Sequence, residues 1–332
     1  MPFRLRYAAL AAAAALSACA GTSPATAPVS STALGVGGHA IRFGDNVHND
    51  PSRRGWLSRP ALTGPVIYAA SYDGGFINIY PLKGNNQAPI GQLTNGLQSP
   101  QGVFVDGHHH LWVANTNAFS VVGFKRGATT PYRTLGDPNY YPISVVEDTN
   151  GTVYAANAES TTGPPGNVTY WLKGKKSPSG TLTFGNFLIV TNIGIDASNN
   201  VYVSYIPMSG PPAVVEFPAG SHTGQPLAIQ DANLGDITFD KSNNLLMETL
   251  SNELGVWAPP YTSGPSRIIP AFGNEPTLDK NNGKVWIAYA NYSMPMVEGY
   301  SYKTGVLEDT ITQGFSSTGV PFGIAIDPPT PR

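Results

Sequence analysis

Charged residues are scarce in this sequence, and cysteine is almost absent. Only 12% of the 332 residues are Asp, Glu, Lys or Arg, and the single cysteine is Cys19. One cysteine excludes an intrachain disulfide, so packing and hydrogen bonds must hold the fold. The formal net charge is -2, and no long basic run is present that would grip phosphates. We therefore expect no nucleic-acid partner.

Long helical patterns are also missing beyond residue 20. The chain holds 37 glycines and 30 prolines, which break helices but suit short strands joined by tight turns. Apolar residues still make up 41% of the sequence, enough for a substantial core. The composition therefore predicts an all-β domain, and a chain of this length accommodates one large domain of that class.

The N-terminal residues have the three parts of an export signal. Arg4 and Arg6 precede an apolar run over residues 7–16, and small residues follow up to Cys19. This pattern predicts a signal peptide over residues 1–18, and the run is too short for a lasting membrane span across about 30 Å. The alternative is an ordinary signal peptide cleaved after Ala18, which leaves a free thiol.

The ending Leu-Ser-Ala-Cys at residues 16–19 resembles the lipobox of bacterial lipoproteins. The resemblance implies that Cys19 is lipidated and anchors the mature protein to a membrane. Ala20 follows the cysteine, which by the same resemblance implies the outer membrane, with the protein facing the periplasm or the cell surface. Residues 19–63 are rich in small and polar residues without apolar periodicity, and we predict that they form a flexible linker.

A repeated unit begins near residue 64 and continues to residue 330. Each copy is an apolar strand that ends in Asp, then a tight turn, then a second strand with a large apolar residue; residues 102–106 and 111–115 are the clearest copy. The closing aspartates are Asp106, Asp148, Asp196, Asp240, Asp279 and Asp327. A later aromatic residue ends a third strand in each copy, at Tyr80, Phe124, Trp171, Phe217, Trp257 and Tyr300. Both series step by roughly 44 residues, the length of a four-stranded propeller blade.

The two ends of the repeat are incomplete in complementary ways. Residues 323–327 form an Asp-ended first strand with no second strand after it, while residues 66–70 form a second strand with no first strand before it. Pairing the two would complete a shared blade and remove both open edges. We therefore predict one six-bladed β-propeller over residues 64–330, with four-stranded antiparallel blades. A sandwich would not repeat one signature six times, and an open solenoid would need caps.

The segment SPQGVFVD at residues 99–106, with LWVAN at 111–115, resembles the unit shared by three groups of propellers. They are NHL-repeat propellers, the gluconolactonase (senescence-marker-protein) family and the streptogramin lyases. The resemblance implies the fold, and gluconolactonase-like members hold a divalent metal over the channel with Glu, Asn and Asp. Here Asp236 stands one place late relative to the family's Pro-Asp-Gly, and residues 63–65 lack the family's Glu. No His stands at a strand start, as the lyases would require.

Polar residues at the starts of the inner strands are the main site candidates. Gly102, Ser144, Asn192, Asp236, Glu275 and Gly323 each stand four residues before a closing Asp, so ring closure would gather them at one mouth of the channel. Residues that follow the second strands should edge the same mouth. The full candidate set for binding is Asp236, Glu275, Asn192, Ser144, Gln101, Asn115, Asn157, Tyr205 and Tyr292. Asp236, Glu275 and Asn192 either form a cation pocket or pair with nearby donors.

Two other features have structural interpretations. His108, His109 and His110 lie on a hairpin turn, where adjacent side chains diverge, so we interpret them as a solvated turn and not as a metal site. The closing aspartates precede turns at a constant position, which predicts that they accept hydrogen bonds from turn N–H groups.

Two functions remain open from the sequence. The first is a non-enzymatic binding or scaffolding propeller, held at the membrane and engaging a protein or a carbohydrate. The second is a metal-dependent hydrolase or lyase of gluconolactonase type, with calcium or zinc held by Asp236, Glu275 and Asn192. The missing Glu at residues 63–65 and the displaced Asp236 favour the first. No nucleophile elbow, phosphate-binding glycine loop or CxxC motif is present in the sequence to support covalent catalysis or nucleotide binding.

Overall fold

Six antiparallel sheets arranged in a ring form the body of the protein. The structure is a computed structural model that describes residues 34–36, 39–41, 54–58 and 62–330. The predicted signal peptide, Cys19 and most of the predicted linker lie outside the described residues. The first strands of neighbouring blades contact one another around a central channel. The all-β six-bladed propeller predicted from the repeats is confirmed.

Six strands of the described chain precede blade 2, and the last three of them belong to blade 1. The six are β1 (Leu34–Val36), β2 (His39–Ile41), β3 (Trp56–Leu57), β4 (Val66–Ser71), β5 (Phe76–Pro81) and β6 (Gly91–Leu93). β1 and β2 form a hairpin, and β3 pairs with β6. Residues 56 and 57, which were predicted to lie in the linker, instead form a fifth strand at the edge of blade 1.

Blades 2 to 6 each take four consecutive strands. Blade 2 comprises β7 (Pro100–Val105), β8 (Leu111–Asn115), β9 (Ser120–Phe124) and β10 (Arg133–Gly136), with a 3-10 turn at Thr116–Ala118. Blade 3 comprises β11 (Tyr140–Glu147), β12 (Val153–Ser160), β13 (Asn167–Trp171) and β14 (Gly180–Leu182). Blade 4 comprises β15 (Phe187–Ile195), β16 (Val201–Pro207), β17 (Ala213–Phe217) and β18 (Gln225–Pro226).

The remaining strands complete the ring. Blade 5 comprises β19 (Thr238–Phe239), β20 (Leu245–Glu248), β21 (Leu254–Trp257) and β22 (Arg267–Ile269). Blade 6 comprises β23 (Asn274–Leu278), β24 (Lys284–Tyr289), β25 (Met296–Ser301) and β26 (Leu307–Ile311). β27 (Gly323–Asp327) pairs antiparallel with β4, from Gly323 opposite Ala70 to Asp327 opposite Val66. Blade 1 therefore joins both ends of the domain, as ring closure predicts.

Two opposite faces of the ring carry different loops. On the first face lie the turns that join strands one and two of each blade and the loops that join strands three and four; we call it the Asp face. On the other, the distal face, lie the loops that join strands two and three and the connections from one blade to the next. Antiparallel pairing in every blade imposes this division, because successive strands run in opposite directions.

The repeated aspartates organise the turns of the Asp face. In blades 2 to 6, one carboxylate oxygen accepts the backbone N–H groups two and four residues further on, at 2.7–3.0 Å. These residues are Asp106, Asp148, Asp196, Asp240 and Asp279. The turn role assigned from the sequence is confirmed for these five.

Asp327 differs because no second strand follows it in the chain. It is fully buried. One of its carboxylate oxygens lies 2.5 Å from Nδ1 of His109, and the other accepts a hydrogen bond from the guanidinium of Arg126. Arg126 also donates to the carbonyls of Leu62 and Gly64, at 3.2 and 2.5 Å. These contacts fasten both chain ends of blade 1 to blade 2.

The hydrophobic core lies between the blades. Trp112, Trp171, Trp257 and Trp286 are at most 1% exposed, in agreement with their positions in the repeat. The fourth strand of blade 4 is Gln225–Pro226, and Leu227 and Ile229 after it pack against the core cluster between blades 4 and 5. The described part of the chain contains no helix with the length and hydrophobicity of a membrane span.

Candidate functional site

The starts of the inner strands meet at the channel, as their spacing predicts. Ser144, Asn192, Asp236 and Glu275 line one cavity of about 120 Å³ on the axis of the ring. The first strands of all six blades line this cavity, which extends to turn residues of the Asp face such as Lys241. These four of the nine predicted residues therefore converge on the channel.

Asp236 connects blades 4 and 6 through its two carboxylate oxygens. One oxygen accepts the side-chain amide of Asn192, and the other accepts the backbone N–H of Glu275. The carbonyl oxygen of the Asn192 side chain in turn accepts the N–H of Ile237 at 3.2 Å. The three residues thus pair with nearby donors, which was the alternative to a cation pocket. These hydrogen bonds hold the first strands of blades 4, 5 and 6 together.

Glu275 extends this network across the channel. One of its carboxylate oxygens accepts the N–H of Val103 in blade 2 at 3.2 Å and the N–H of Ile324 in blade 1 at 3.0 Å. The crossing depends on two glycines, because a Cβ atom at Gly102 or Gly323 would lie 2.5 Å from a Glu275 carboxylate oxygen. Glu275 itself has a left-handed backbone with φ of 44°, which is costly for a residue with a side chain.

The electrostatics of this cluster are unfavourable for two charges. Burial, and then the neighbouring carboxylate of Asp236, raise the pKa of Glu275 well above its ordinary value. A cation between the carboxylates would relieve this repulsion. However, N–H groups of the protein already contact three of the four carboxylate oxygens of Asp236 and Glu275. These contacts match a structural role better than the binding of a metal ion.

Most of the other predicted mouth residues are buried with internal partners. Asn115 is 1% exposed, accepts the N–H of Gln98 at 2.5 Å and donates to the carbonyl of Gly96 at 2.8 Å. Gln101 is 5% exposed and donates to Thr116 at 3.1 Å. These side chains hold the loop between blades 1 and 2 and do not reach the surface of the distal face.

The two predicted tyrosines have different positions. Tyr205 is buried and packs against Phe187, with ring centroids 5.0 Å apart. Tyr292 is 41% exposed on the distal face, and its hydroxyl donates to Asp73 of blade 1 at 3.0 Å. Tyr292 is the most exposed of the nine residues predicted for binding.

Asn157 belongs to a buried polar cluster at the junction of blades 2 and 3. Its amide donates to Asp137 at 2.9 Å and to Asn167 at 2.7 Å, and Thr169 donates to Asp137 at 3.1 Å. Asp137 is 2% exposed. Burial raises its pKa to about 6, although the hydrogen bonds from Asn157 and Thr169 oppose the shift.

Asp137 should make stability depend on pH. Its pKa in the folded state exceeds that of an unfolded Asp, about 3.9, so the stabilisation is complete below about pH 4 and is lost as pH rises through about 6. We expect the loss to reach about 2–3 kcal/mol. Subtracting the unfolding free energy of an Asp137→Asn variant, which cannot titrate, from that of the wild type across this range isolates the effect. A difference that does not change with pH would contradict this assignment.

Three exposed apolar side chains on the distal face were not identified from the sequence. Met208, Leu250 and Met294 are 58%, 64% and 58% exposed, and Met294 lies in the same loop as the predicted Tyr292. They lie in the loops between the second and third strands of blades 4, 5 and 6. The signal available in the sequence was a large apolar residue inside a turn cluster, where the strand pattern does not require one.

A second cavity, of about 670 Å³, opens on the Asp face beside the three histidines. His110 contacts the carboxylate of Asp106 at 2.9 Å, and the rings of His108 and His110 stack with centroids 6.0 Å apart. Across the described residues, no three or more His, Cys, Asp or Glu side chains form a group that could hold a metal ion. Arg133, Lys173 and Lys280 also line this cavity.

Comparison with known proteins identifies the fold and no family. The sequence matches no protein-family model and no curated protein. A chain of a nidogen/laminin complex is similar in structure, with a TM-score of 0.62 and 15% identity over 79% of this chain and 98% of that chain. A protein of unknown function from Bacteroides caccae has a TM-score of 0.59 at 11% identity, covering 80% and 99%. Hydrazine synthase from Kuenenia stuttgartiensis has a TM-score of 0.54 at 10% identity, covering 79% and 91%.

Proposed function

We propose that this protein is a lipid-anchored extracytoplasmic binding propeller whose distal face engages a protein partner. The lipobox-like ending at Cys19 supports the anchor. The resemblance of the repeat to NHL and gluconolactonase-like propellers supports the scaffold role of the blades. The similar chain from the nidogen/laminin complex belongs to a protein assembly, in line with this use of the fold.

The exposed apolar side chains of the distal face are the observation that carries the proposal. Met208, Leu250 and Met294 are each more than half exposed and come from three consecutive blades. Exposed apolar residues that cluster on one face mark interaction surfaces, and methionine adapts its shape to a partner. A protein is favoured over a carbohydrate because these three side chains are aliphatic, whereas sugars pack best on aromatic rings.

The charge of the distal face indicates the chemistry of the partner. No Lys or Arg between residues 62 and 330 lies in a loop of this face. The acidic residues at the surface of this face are Asp73, Glu159, Asp231 and Glu253. Complementary charge steers association, so the partner should present apolar residues flanked by basic ones.

The metal-dependent hydrolase or lyase remains the second candidate. The convergence of Asn192, Asp236 and Glu275 on the channel supports it. It ranks second because backbone and amide N–H groups already contact the carboxylates. The three residues would hold calcium or zinc, whose binding would depend on both carboxylates.

Fractionation and site-specific photo-crosslinking in the native host test the proposal together. After a high-salt wash, wild-type protein should remain with the membranes and a Cys19→Ser variant should be soluble. A photo-crosslinker at Leu250 should form one adduct of defined mass with a protein. The same adduct should be lost when Met208 and Met294 are replaced by Asp.

Leu172 provides the matched control, because it is an exposed leucine on the Asp face. A crosslinker at this position should not form the same adduct. Equal adducts at Leu172 and Leu250 would argue against a specific distal surface, and membrane retention of Cys19→Ser after the wash would argue against lipidation.

A further inference from the structure

Every basic residue of the propeller lies on one face of the ring. Between residues 62 and 330, each Lys or Arg occurs in a loop that joins strands one and two or strands three and four, or is the first residue after such a loop. These residues are Lys83, Lys125, Arg126, Arg133, Lys173, Lys175, Lys176, Lys241, Arg267, Lys280, Lys284 and Lys303. The Asp face therefore carries all the cationic side chains of this part of the chain.

Most of these cations form no ion pair with the acidic residues of the described chain. The closing aspartates of blades 2 to 6 direct a carboxylate oxygen to turn N–H groups. Within the described residues, Arg126 pairs with Asp327, and Lys284 pairs with Glu308 and Asp309. The other lysines of this face have no ion pair among the described residues, and all of them are exposed. They are Lys83, Lys125, Lys173, Lys175, Lys176, Lys241, Lys280 and Lys303.

Exposed apolar side chains accompany the lysines at the rim of this face. Leu172 is 49% exposed and precedes Lys173, while Val306 is 59% exposed in the same loop as Lys303. Tyr132 is 39% exposed beneath the ammonium of Lys125, which lies 5.8 Å from the centre of its ring. Apolar tips beside lysines match the boundary between lipid headgroups and acyl chains.

A cavity of about 670 Å³ opens within the same surface. Arg133, Lys173 and Lys280 line it together with the carboxylates of Asp106, Glu147 and Asp148. The exposed lysines around the cavity, and not the cavity itself, therefore provide the contacts for lipid phosphates. A surface that binds nucleic acid usually presents aromatic rings on which bases stack. Leu172 and Val306 are aliphatic, so this surface matches a lipid bilayer better.

We propose that the Asp face binds the surface of an anionic lipid bilayer. The face uses cationic loops of five blades for the headgroups and the apolar tips for the upper acyl region. The distal face then points away from the membrane, towards the partner of the proposed function. The inference stands without the lipid on Cys19, so the failure of one proposal does not imply failure of the other.

Binding to vesicles tests the proposal with the whole chain carrying Cys19→Ser. We expect sedimentation with vesicles of phosphatidylcholine mixed with phosphatidylglycerol, weak binding to phosphatidylcholine alone, and loss of binding as salt is raised. Near an anionic membrane each lysine contributes about fivefold in affinity. Replacing Lys173, Lys175 and Lys176 by Gln should therefore weaken binding about 100-fold, with the melting temperature unchanged because these side chains are exposed.

The matched control removes three charges from the distal face. A variant with Glu159→Gln, Asp231→Asn and Glu253→Gln raises the net charge by the same amount that the lysine variant lowers it. It should bind the mixed vesicles like the parent, because the effect belongs to one face and not to net charge. Equal binding by the lysine variant and its parent, or tighter lysine-dependent binding to duplex DNA than to the mixed vesicles, would overturn the proposal.

Discussion

Replacing Glu275 with Ala is expected to lower the unfolding free energy by about 3 kcal/mol. The carboxylate is the acceptor for the N–H groups of Val103 and Ile324, which are both buried. Each buried N–H group left without an acceptor costs about 1–3 kcal/mol. Ala also keeps the unfavourable left-handed backbone. Urea denaturation at neutral pH measures the loss.

A Glu275→Gln variant is the control, and we expect it to be at least as stable as the wild type at about pH 8. Its amide oxygen can accept both N–H groups, and it removes a charge that burial and Asp236 disfavour. Since the pKa of Glu275 is raised in the folded state, its stabilisation is present at acid pH and is lost as pH rises; the Gln variant should lack that loss. If Ala and Gln were equally stable, the carboxylate would not hold the inner strands.

The same variant discriminates between the two candidate functions. If calcium or zinc raised the melting temperature of the wild type but not that of Glu275→Gln, the metal-dependent alternative would gain support. We expect no such difference, because the Glu275 carboxylate already contacts N–H groups of blades 1 and 2. This result would leave the distal face as the functional surface.

Replacing Asp327 with Asn is expected to cost about 3 kcal/mol. The carboxylate is fully buried and receives both His109 and Arg126, and removing its charge leaves the guanidinium without its counterion. Breaking a fully buried pair costs about 3–5 kcal/mol; the side chain of Arg126 is 25% exposed, which places the loss at the lower end. Chemical denaturation of both proteins gives the difference.

Asp279→Asn is the matched control, because Asp279 closes the first strand of blade 6 as Asp327 closes that of blade 1. It accepts the N–H groups of Asn281 and Gly283 at 3.0 and 2.8 Å, and an amide oxygen can still accept them. We expect a loss of about 1 kcal/mol. Equal losses at the two positions would show that the contacts with blade 2 add nothing to closure.

The repeat was readable in the sequence because it depends on neighbours in the chain. A strand, a turn and a second strand occupy about a dozen residues, and the turn N–H groups that Asp106 or Asp196 accept lie two and four positions away. The incomplete units at residues 66–70 and 323–327 likewise predicted their own pairing. Strand pattern and turn chemistry are local, and six copies made them unambiguous.

Only part of the candidate site could be predicted from the sequence, because its contacts join residues that are distant in the chain. Spacing placed Asn192, Asp236 and Glu275 at one mouth, but it could not show which atoms they contact. Glu275 accepts an N–H group 172 positions away in the chain, at Val103. The same limit applies to Asn115 and Asn157, whose burial depends on loops from the neighbouring strands.

The sequence by itself determined six blades, the closed ring and the role of the aspartate turns, since each follows from apolar spacing and short-range hydrogen bonds. The tertiary structure alone decided that the carboxylate of Glu275 spans the channel and that the lysines of five blades share one face. The sequence contains no basic run that would indicate this face, because its lysines are dispersed from residue 83 to residue 303. Antiparallel pairing in successive blades returns the same two classes of loop to the same side, and so assembles a charged surface from distant residues.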